Sequence, residues 1–181
     1  SSRLTASEVE YIFRDCGAKL IISSYALTNT AEELSFLMKD IPDRLMIDGV
    51  VEGWESFEEA IAQMPTTPIE DQIMGRDMLY SSGTTGRPKG IKFPLQNIPI
   101  EQSEDLMAVV TGLYGTTEDT IYLSPAPLYH AAPLRFTMGV NYVGGTNIIM
   151  ENFDAESSLR FIEKYKVTMS QWVPTMFVKM F

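Results

Sequence analysis

Short apolar runs alternate with segments of helical period along almost all of the 181 residues, and nothing else in the sequence restricts the fold as much. Thr5 and Glu8 form a capping box, after which Val9, Ile12, Phe13 and Cys16 recur at helical spacing until Gly17. Ala18–Ser23 reads as a short strand of the kind buried in a parallel sheet. A second helix carries Leu34, Leu37, Met38 and Ile41 on one face and closes before Pro42. Arg44–Asp48 reads as a strand and Glu55–Met64 as a short helix, while Pro65–Met74 has no period and reads as an exposed connector. Arg76–Ser82 and Ile91–Phe93 flank a Gly/Thr-rich loop as outgoing and returning strands. Beyond them come a helix over Gln96–Leu113, a strand over Thr120–Ser124, a helix over Tyr129–Tyr142 and a strand over Thr146–Met150 entered through Gly144-Gly145. Asp154 caps a further helix with Leu159, Ile162 and Lys166 on one side, Val167–Gln171 is a strand, and a last helix starts near Pro174. Strands and helices at this spacing make βαβ units, so the expected fold class is α/β, a mostly parallel sheet covered by helices.

Charge and composition narrow the function classes. The formal net charge is -10 and no basic stripe interrupts it, which disfavours a nucleic-acid partner. The only small basic cluster is Arg87, Lys89 and Lys92. No stretch approaches the roughly 20 apolar residues of a transmembrane helix. One cysteine and one histidine leave no material for a disulfide or a multi-cysteine metal site, and Cys16 falls on an apolar helix face as a small core residue. Both features fit a reducing cytoplasm.

The chemistry is concentrated in Tyr80-Ser81-Ser82-Gly83-Thr84-Thr85-Gly86-Arg87-Pro88-Lys89-Gly90. Gly83, Gly86 and Gly90 remove Cβ atoms, so the backbone can reach positive φ and approach a ligand closely. Successive N–H groups in such a loop can converge on an anion. Ser81, Ser82, Thr84 and Thr85 add hydroxyl donors, Lys89 adds a point charge, Arg87 a second cation, and Pro88 restricts the chain just before Lys89. These groups suit a polyphosphate. A Walker A loop is excluded, because Lys89 precedes Gly90 and the chain continues as a strand rather than a helix.

Over Ser81–Gly90 the sequence resembles the adenylate-forming superfamily of acyl-CoA synthetases, aryl-CoA ligases, luciferases and peptide-synthetase adenylation domains. Every position of the family's hydroxyl-rich Gly-Thr-Thr-Gly-x-Pro-Lys-Gly loop is met, with Ser81 where Thr is commoner. A second resemblance lies in Pro127-Leu-Tyr-His-Ala-Ala-Pro133, where His130 occupies the family's place at the meeting point of carboxylate and ATP. Bottom-up, an imidazole there can donate to a carboxylate or an α-phosphate oxygen; a histidine hydrogen-bonded within a buried turn is the plainer alternative. Tyr129, Leu134 and Phe136 either line an acyl pocket or belong to the core, with core favoured. The resemblance extends through Leu4–Ser23 and Gly144–Val173, and so covers most of the chain.

It implies ATP, Mg and CoA as cofactors and a small-molecule carboxylic acid as substrate. Ser81, Ser82, Gly83, Thr84, Thr85, Gly86, Arg87, Lys89 and Gly90 would hold the phosphates. Ser81 or Ser82 would touch the metal, and His130 would orient the carboxylate. Residues 1–181 would be part of the large N-terminal AMP-binding domain, cut at both ends and without the C-terminal domain, and inactive alone. The wording of Pro127–Pro133 favours a fatty-acid–CoA ligase. A luciferase-like or peptide-synthetase adenylation domain, or a non-catalytic nucleotide-binding module, are the competing classes. The family's later aromatic-Gly-x-Thr-Glu motif is missing; Tyr114-Gly115-Thr116-Thr117-Glu118 looks like it but precedes Pro127 and is read as a chance match in a loop.

Overall fold

The computed structural model describes residues 3–41, 43–81, 87–102 and 109–181. They form two compact units, Ser1–Gln96 and Asn97–Phe181. Among the described residues no helix is long and apolar enough to cross a membrane.

The first unit opens with α1 (Ala6–Cys16). Its N-terminus is fixed as the sequence implies: the Thr5 hydroxyl accepts from the Glu8 N–H while the Glu8 carboxylate accepts from the Thr5 N–H at 2.8 Å. The bond from the Thr5 N–H first, and then one that the Thr5 hydroxyl donates to the same carboxylate at 2.8 Å, hold the Glu8 pKa below its ordinary value. At the other end Gly17 takes the left-handed conformation, φ 66°, that ends a helix without a Cβ clash. Strand β1 (Leu20–Ser24) runs parallel to β2 (Asp43–Ile47), which also pairs in parallel with β3 (Glu55–Ser56). Between β1 and β2 lies α2 (Thr28–Leu37), and α3 (Phe57–Ala62) follows β3.

Phe13 of α1, Ala31 and Leu34 of α2, Met38, Met46 of β2 and Trp54 make one buried cluster. The Trp54 indole N–H is satisfied by the Ala31 carbonyl at 3.1 Å and the Ser35 hydroxyl at 2.9 Å, so the ring is buried at no polar cost. Arg14 ties the same two helices together from outside: its guanidinium spans both Asp40 carboxylate oxygens at 2.9 Å and also donates to the Leu37 carbonyl.

Two expectations for this unit need correction. Ala18–Ser23 is not a buried strand; β1 is the edge of its sheet, with Leu20 44% and Ile22 47% exposed while Ile21 packs on the core. The helix over Glu55–Met64 is shorter, because Glu55–Ser56 joins the sheet and the Ser56 hydroxyl caps the Glu59 N–H at 3.2 Å. The connector over residues 65–74 is irregular and largely exposed, as expected. The unit ends in a hairpin, β4 (Leu79–Ser81) against β5 (Lys89–Ile91).

In the second unit the helix expected over Gln96–Leu113 does not begin at Gln96. Pro99 disfavours a helical residue before it, Asn97 sits at φ 51°, and the first helical turn is the 3₁₀ turn Ile100–Gln102. A wide π-type turn, Val109–Leu113, leads toward β6 (Ile121–Ser124). Strand β6 is central, flanked in parallel by β7 (Thr146–Ile149) and β8 (Met169–Ser170). Helices α4 (Ala131–Tyr142), α5 (Ala155–Tyr165) and α6 (Pro174–Met180) complete the unit. Asp154 caps α5 through the Ser157 N–H at 2.8 Å, and Tyr122, Leu123 and Val140 are fully buried. Among the described residues both three-stranded sheets are parallel and only the β4–β5 hairpin is antiparallel, which is the α/β class read from the sequence.

The Arg14 guanidinium pulls the Asp40 carboxyl down from 3.8 to about 2. A depressed carboxyl pKa stabilises the fold above its unfolded value and loses that contribution as pH falls through the folded one. Asp40→Asn should therefore show its full stability deficit above about pH 4, a deficit that shrinks below that and disappears only as pH falls through about 2, read from denaturation midpoints of both proteins across that range.

Candidate functional site

The hairpin register determines what stands at the base of the Gly/Thr-rich loop. Leu79 faces Ile91, Tyr80 faces Gly90, and Ser81 faces Lys89 across the two strands. Side chains alternate along a strand, so Ser81 and Lys89 share one face and Tyr80 belongs to the other. Ser81 and Lys89 are both exposed, and neither side chain hydrogen-bonds to a described residue. A hydroxyl donor and an ammonium group thus stand side by side where the loop leaves and re-enters the sheet. The candidate residues Ser82, Gly83, Thr84, Thr85 and Gly86 lie outside the described residues.

The opposite face is occupied. The Tyr80 phenol donates to the Asp15 carboxylate of α1 at 2.6 Å, and its ring lies over Gly90. A Cβ on Gly90 would stand 2.8 Å from Tyr80 Cζ and would also meet Met78 Cε. Gly90 is not in the left-handed region. Its missing side chain therefore makes room for the Tyr80 ring, whereas the sequence reading had it opening the backbone to a ligand. Burial first, then the bond to Asp15, pushes the Tyr80 pKa well above the usual phenol range, so the group stays a donor.

Arg87 is also placed differently from the simplest expectation. It was read as a second cation for the phosphates; its guanidinium lies 5.2 Å over the Tyr11 ring of α1. Together Arg87, Pro88, Tyr11, Arg14, Asp15 and Glu8 border an open groove of about 690 Å³ beside the helix.

His130 belongs to the second unit. Pro125 and Pro127 end β6, the His130 N–H donates to the Pro127 carbonyl at 3.1 Å, and the residue becomes the N-cap of α4. Its ring makes no cap hydrogen bond; it is exposed and rests against the Tyr129 ring at 4.4 Å. The buried-turn alternative thus does not hold. A position just past the carboxyl end of a parallel strand, at a helix N-terminus, is where open α/β sheets bind ligands. The three apolar candidates divide. Tyr129 is 45% exposed beside His130, against the core reading, whereas Phe136 stacks on buried Tyr122 at 6.0 Å and Leu134 is half-buried. Cys16 is only half-buried, its thiol donating to the Phe13 carbonyl at 3.3 Å. In the segment read as a chance match, Thr117 and Thr120 bond each other in a local turn.

Sequence reasoning assigned no role to Tyr11, Asp15 or the Tyr80 hydroxyl. The one available signal was the four-residue spacing that puts Tyr11 and Asp15 on one helix face. For the metal, Ser81 alone is a single neutral oxygen, and among the described residues no group of three His, Cys, Asp or Glu side chains converges. The described residues therefore fit a phosphate chain but not a magnesium site of their own.

The model of one family, the AMP-binding enzyme, matches residues 1–181. The chain belongs to that family, and its fold is that of the N-terminal domain of adenylate-forming enzymes. It is 31% identical to 4-coumarate:CoA ligase 1 of Petunia hybrida, over 94% of this chain and 31% of that protein. The N-terminal domain of FACL13 from Mycobacterium tuberculosis, solved with an inhibitor, superposes with a TM-score of 0.73 at 23% identity, covering 99% of this chain and 44% of that one. The anthranilate CoA ligase AuaEII, solved with anthranoyl-AMP, superposes with a TM-score of 0.74 at 26% identity, over 99% of this chain and 35% of that one. The chain thus spans about a third of the length of the curated relatives it matches.

If the Tyr80 ring needs the space at Gly90, Gly90→Ala should destabilise the protein by about 1–3 kcal/mol, as overpacking against a held ring does. Urea unfolding of the two proteins measures it.

Proposed function

We propose that this chain supplies the phosphate-gripping part of an ATP-dependent acid–CoA ligase. The observation that carries the reading is the pairing of Ser81 with Lys89 at the base of the hydroxyl-rich loop, within a chain of the AMP-binding enzyme family. In the reaction, a carboxylate oxygen attacks the α-phosphorus of ATP and pyrophosphate leaves, giving an acyl adenylate. The CoA thiol then attacks the acyl carbon and AMP leaves. Charge develops on phosphoryl oxygens in the first half, so the protein contributes positioning and charge stabilisation.

Lys89 neutralises charge on the departing pyrophosphate, and the Ser81 hydroxyl donates to a phosphate oxygen beside it. The loop residues Ser82, Gly83, Thr84, Thr85 and Gly86 add donors by their chemistry. His130 holds the carboxylate toward the α-phosphate. Magnesium, bound with the triphosphate, would supply further charge neutralisation, with Ser81 or Ser82 as its nearest hydroxyl. Arg87, stacked on Tyr11 of α1, braces the returning end of the loop rather than contacting the phosphates.

The acid is either a fatty acid, as the Pro127–Pro133 wording favours, or an aromatic acid. The second reading is favoured by the names of the petunia relative and of AuaEII. Since the chain spans only part of its relatives, the assay belongs on the whole protein that carries it, and residues 1–181 alone are expected to form no acyl-CoA.

Replacing Lys89 with Ala, or Thr85 with Ala, should lower ATP–pyrophosphate exchange by about 10²–10³-fold, the scale of losing one charge-stabilising donor. Exchange measured with a panel of aliphatic and aromatic acids also separates the two acid classes. Undiminished exchange in both variants would remove the proposal.

A further inference from the structure

Tyr11 and Asp15 lie four residues apart on α1, hence on one face of the helix. Each reaches a different end of the loop. Asp15 accepts the 2.6 Å hydrogen bond from Tyr80, which immediately precedes Ser81 on the outgoing strand. The Tyr11 ring lies 5.2 Å beneath the guanidinium of Arg87, two residues before Lys89 on the returning side. One helix face therefore touches the chain on both sides of the segment that carries the hydroxyls.

We propose that Tyr11 and Asp15 are positioning residues for the nucleotide, holding the two ends of the phosphate loop so that Ser81 and Lys89 stay paired for the triphosphate. The proposal rests on the reading of that loop as the triphosphate site.

Three further observations support it. First, α1 is a firm support. It is capped at both ends, buried through Phe13 and bound to Asp40 and the Leu37 carbonyl through Arg14. A glycine-rich loop gains precision when its ends are fixed to such an element. Second, Asp15 is poorly placed for the helix itself. It is the penultimate residue of α1, where the helix dipole disfavours a carboxylate. The short bond to Tyr80 gives it a purpose that α1 does not. Third, the Tyr80 ring fills the space that Gly90 leaves. A shift of Tyr80 off Asp15 would therefore move both strands at the base of the loop. Arg87 is exposed, so its contact with Tyr11 is modest alone, and the Asp15 end is the stronger hold.

The test is steady-state ATP–pyrophosphate exchange by the whole protein carrying this chain, with KM taken separately for ATP and for the acid. Asp15→Ala should raise the ATP KM about three- to tenfold and Tyr11→Leu about two- to fivefold, each with the acid KM left within about twofold. Asp15→Asn, whose amide oxygen still accepts from the phenol, should bring the ATP KM back to within about twofold of the parent. Tyr80→Phe keeps the ring over Gly90 and loses only the hydroxyl; it should match Asp15→Ala, and it serves if that variant fails to fold. The proposal is overturned if ATP KM is unchanged in these variants. Equal changes in ATP and acid KM, with a lowered melting temperature, also overturn it, because they mark a structural role only. Lys89→Ala separates the two levels. If it abolishes exchange while the α1 variants do nothing, the positioning role fails and the phosphate-loop reading stands. If Lys89→Ala is also without effect, the loop reading fails and the positioning role with it.

Discussion

The pairing of Tyr80 with Gly90 is the constraint on which the candidate site depends. An antiparallel pair brings opposed residues close, and here one of them has no side chain, so the aromatic ring of the other lies over the gap. That packing fixes the register by a steric condition rather than by the backbone ladder alone. A slip by one residue would put a side chain under the ring and reverse every face of the hairpin. Because the register holds, Ser81 and Lys89 meet on the face away from α1, and the loop begins and ends at neighbouring points.

The hairpin in turn leans on a helix whose own position is settled by several weak and moderate terms. Phe13 contributes apolar burial, the capping box satisfies the first N–H groups, Gly17 ends the helix, and Arg14 bridges to α2. Each is worth about 0.5–3 kcal/mol, and the exposed Arg14 pair less. Together they make a support on which a loop of small residues can be held. The second unit repeats the arrangement with different means. Two prolines stop β6, the chain turns through the Pro127 carbonyl, and α4 starts just after His130, which leaves the imidazole at the strand end with Tyr129 as its ring contact.

Membership of the AMP-binding enzyme family gives these features a common context: a hydroxyl-rich loop sequence on an antiparallel hairpin in the first unit and an aromatic-imidazole pair at a helix start in the second. The acidic groove beside α1 is distinct in character from the loop face, because Arg87 is its nearest loop cation and is held on a ring. Three carboxylates, of Glu8, Glu10 and Asp15, outnumber the guanidiniums of Arg14 and Arg87 there, whereas Lys89 on the loop face has no side-chain partner among the described residues.

The sequence by itself determined whatever depends on near neighbours in the chain. Thr5, Glu8, Gly17 and Asp154 act within four residues of themselves, so those caps and helix ends were legible, as was a strand on either side of the loop, although the returning one runs Lys89–Ile91 rather than Ile91–Phe93 and the Ser56 cap was missed. It misplaced the start of the helix after Gln96, where Pro99 and Asn97 override the apolar spacing, and it took β1 for a buried strand because a run of apolar residues does not reveal whether a neighbour covers both faces. Tertiary structure alone decided that Asp15 serves Tyr80, 65 residues away, that Arg87 lies on Tyr11 and that Gly90 makes room for a ring. Those facts follow from which surfaces meet when α1 packs against the hairpin, and residue types and spacings carry no record of that meeting.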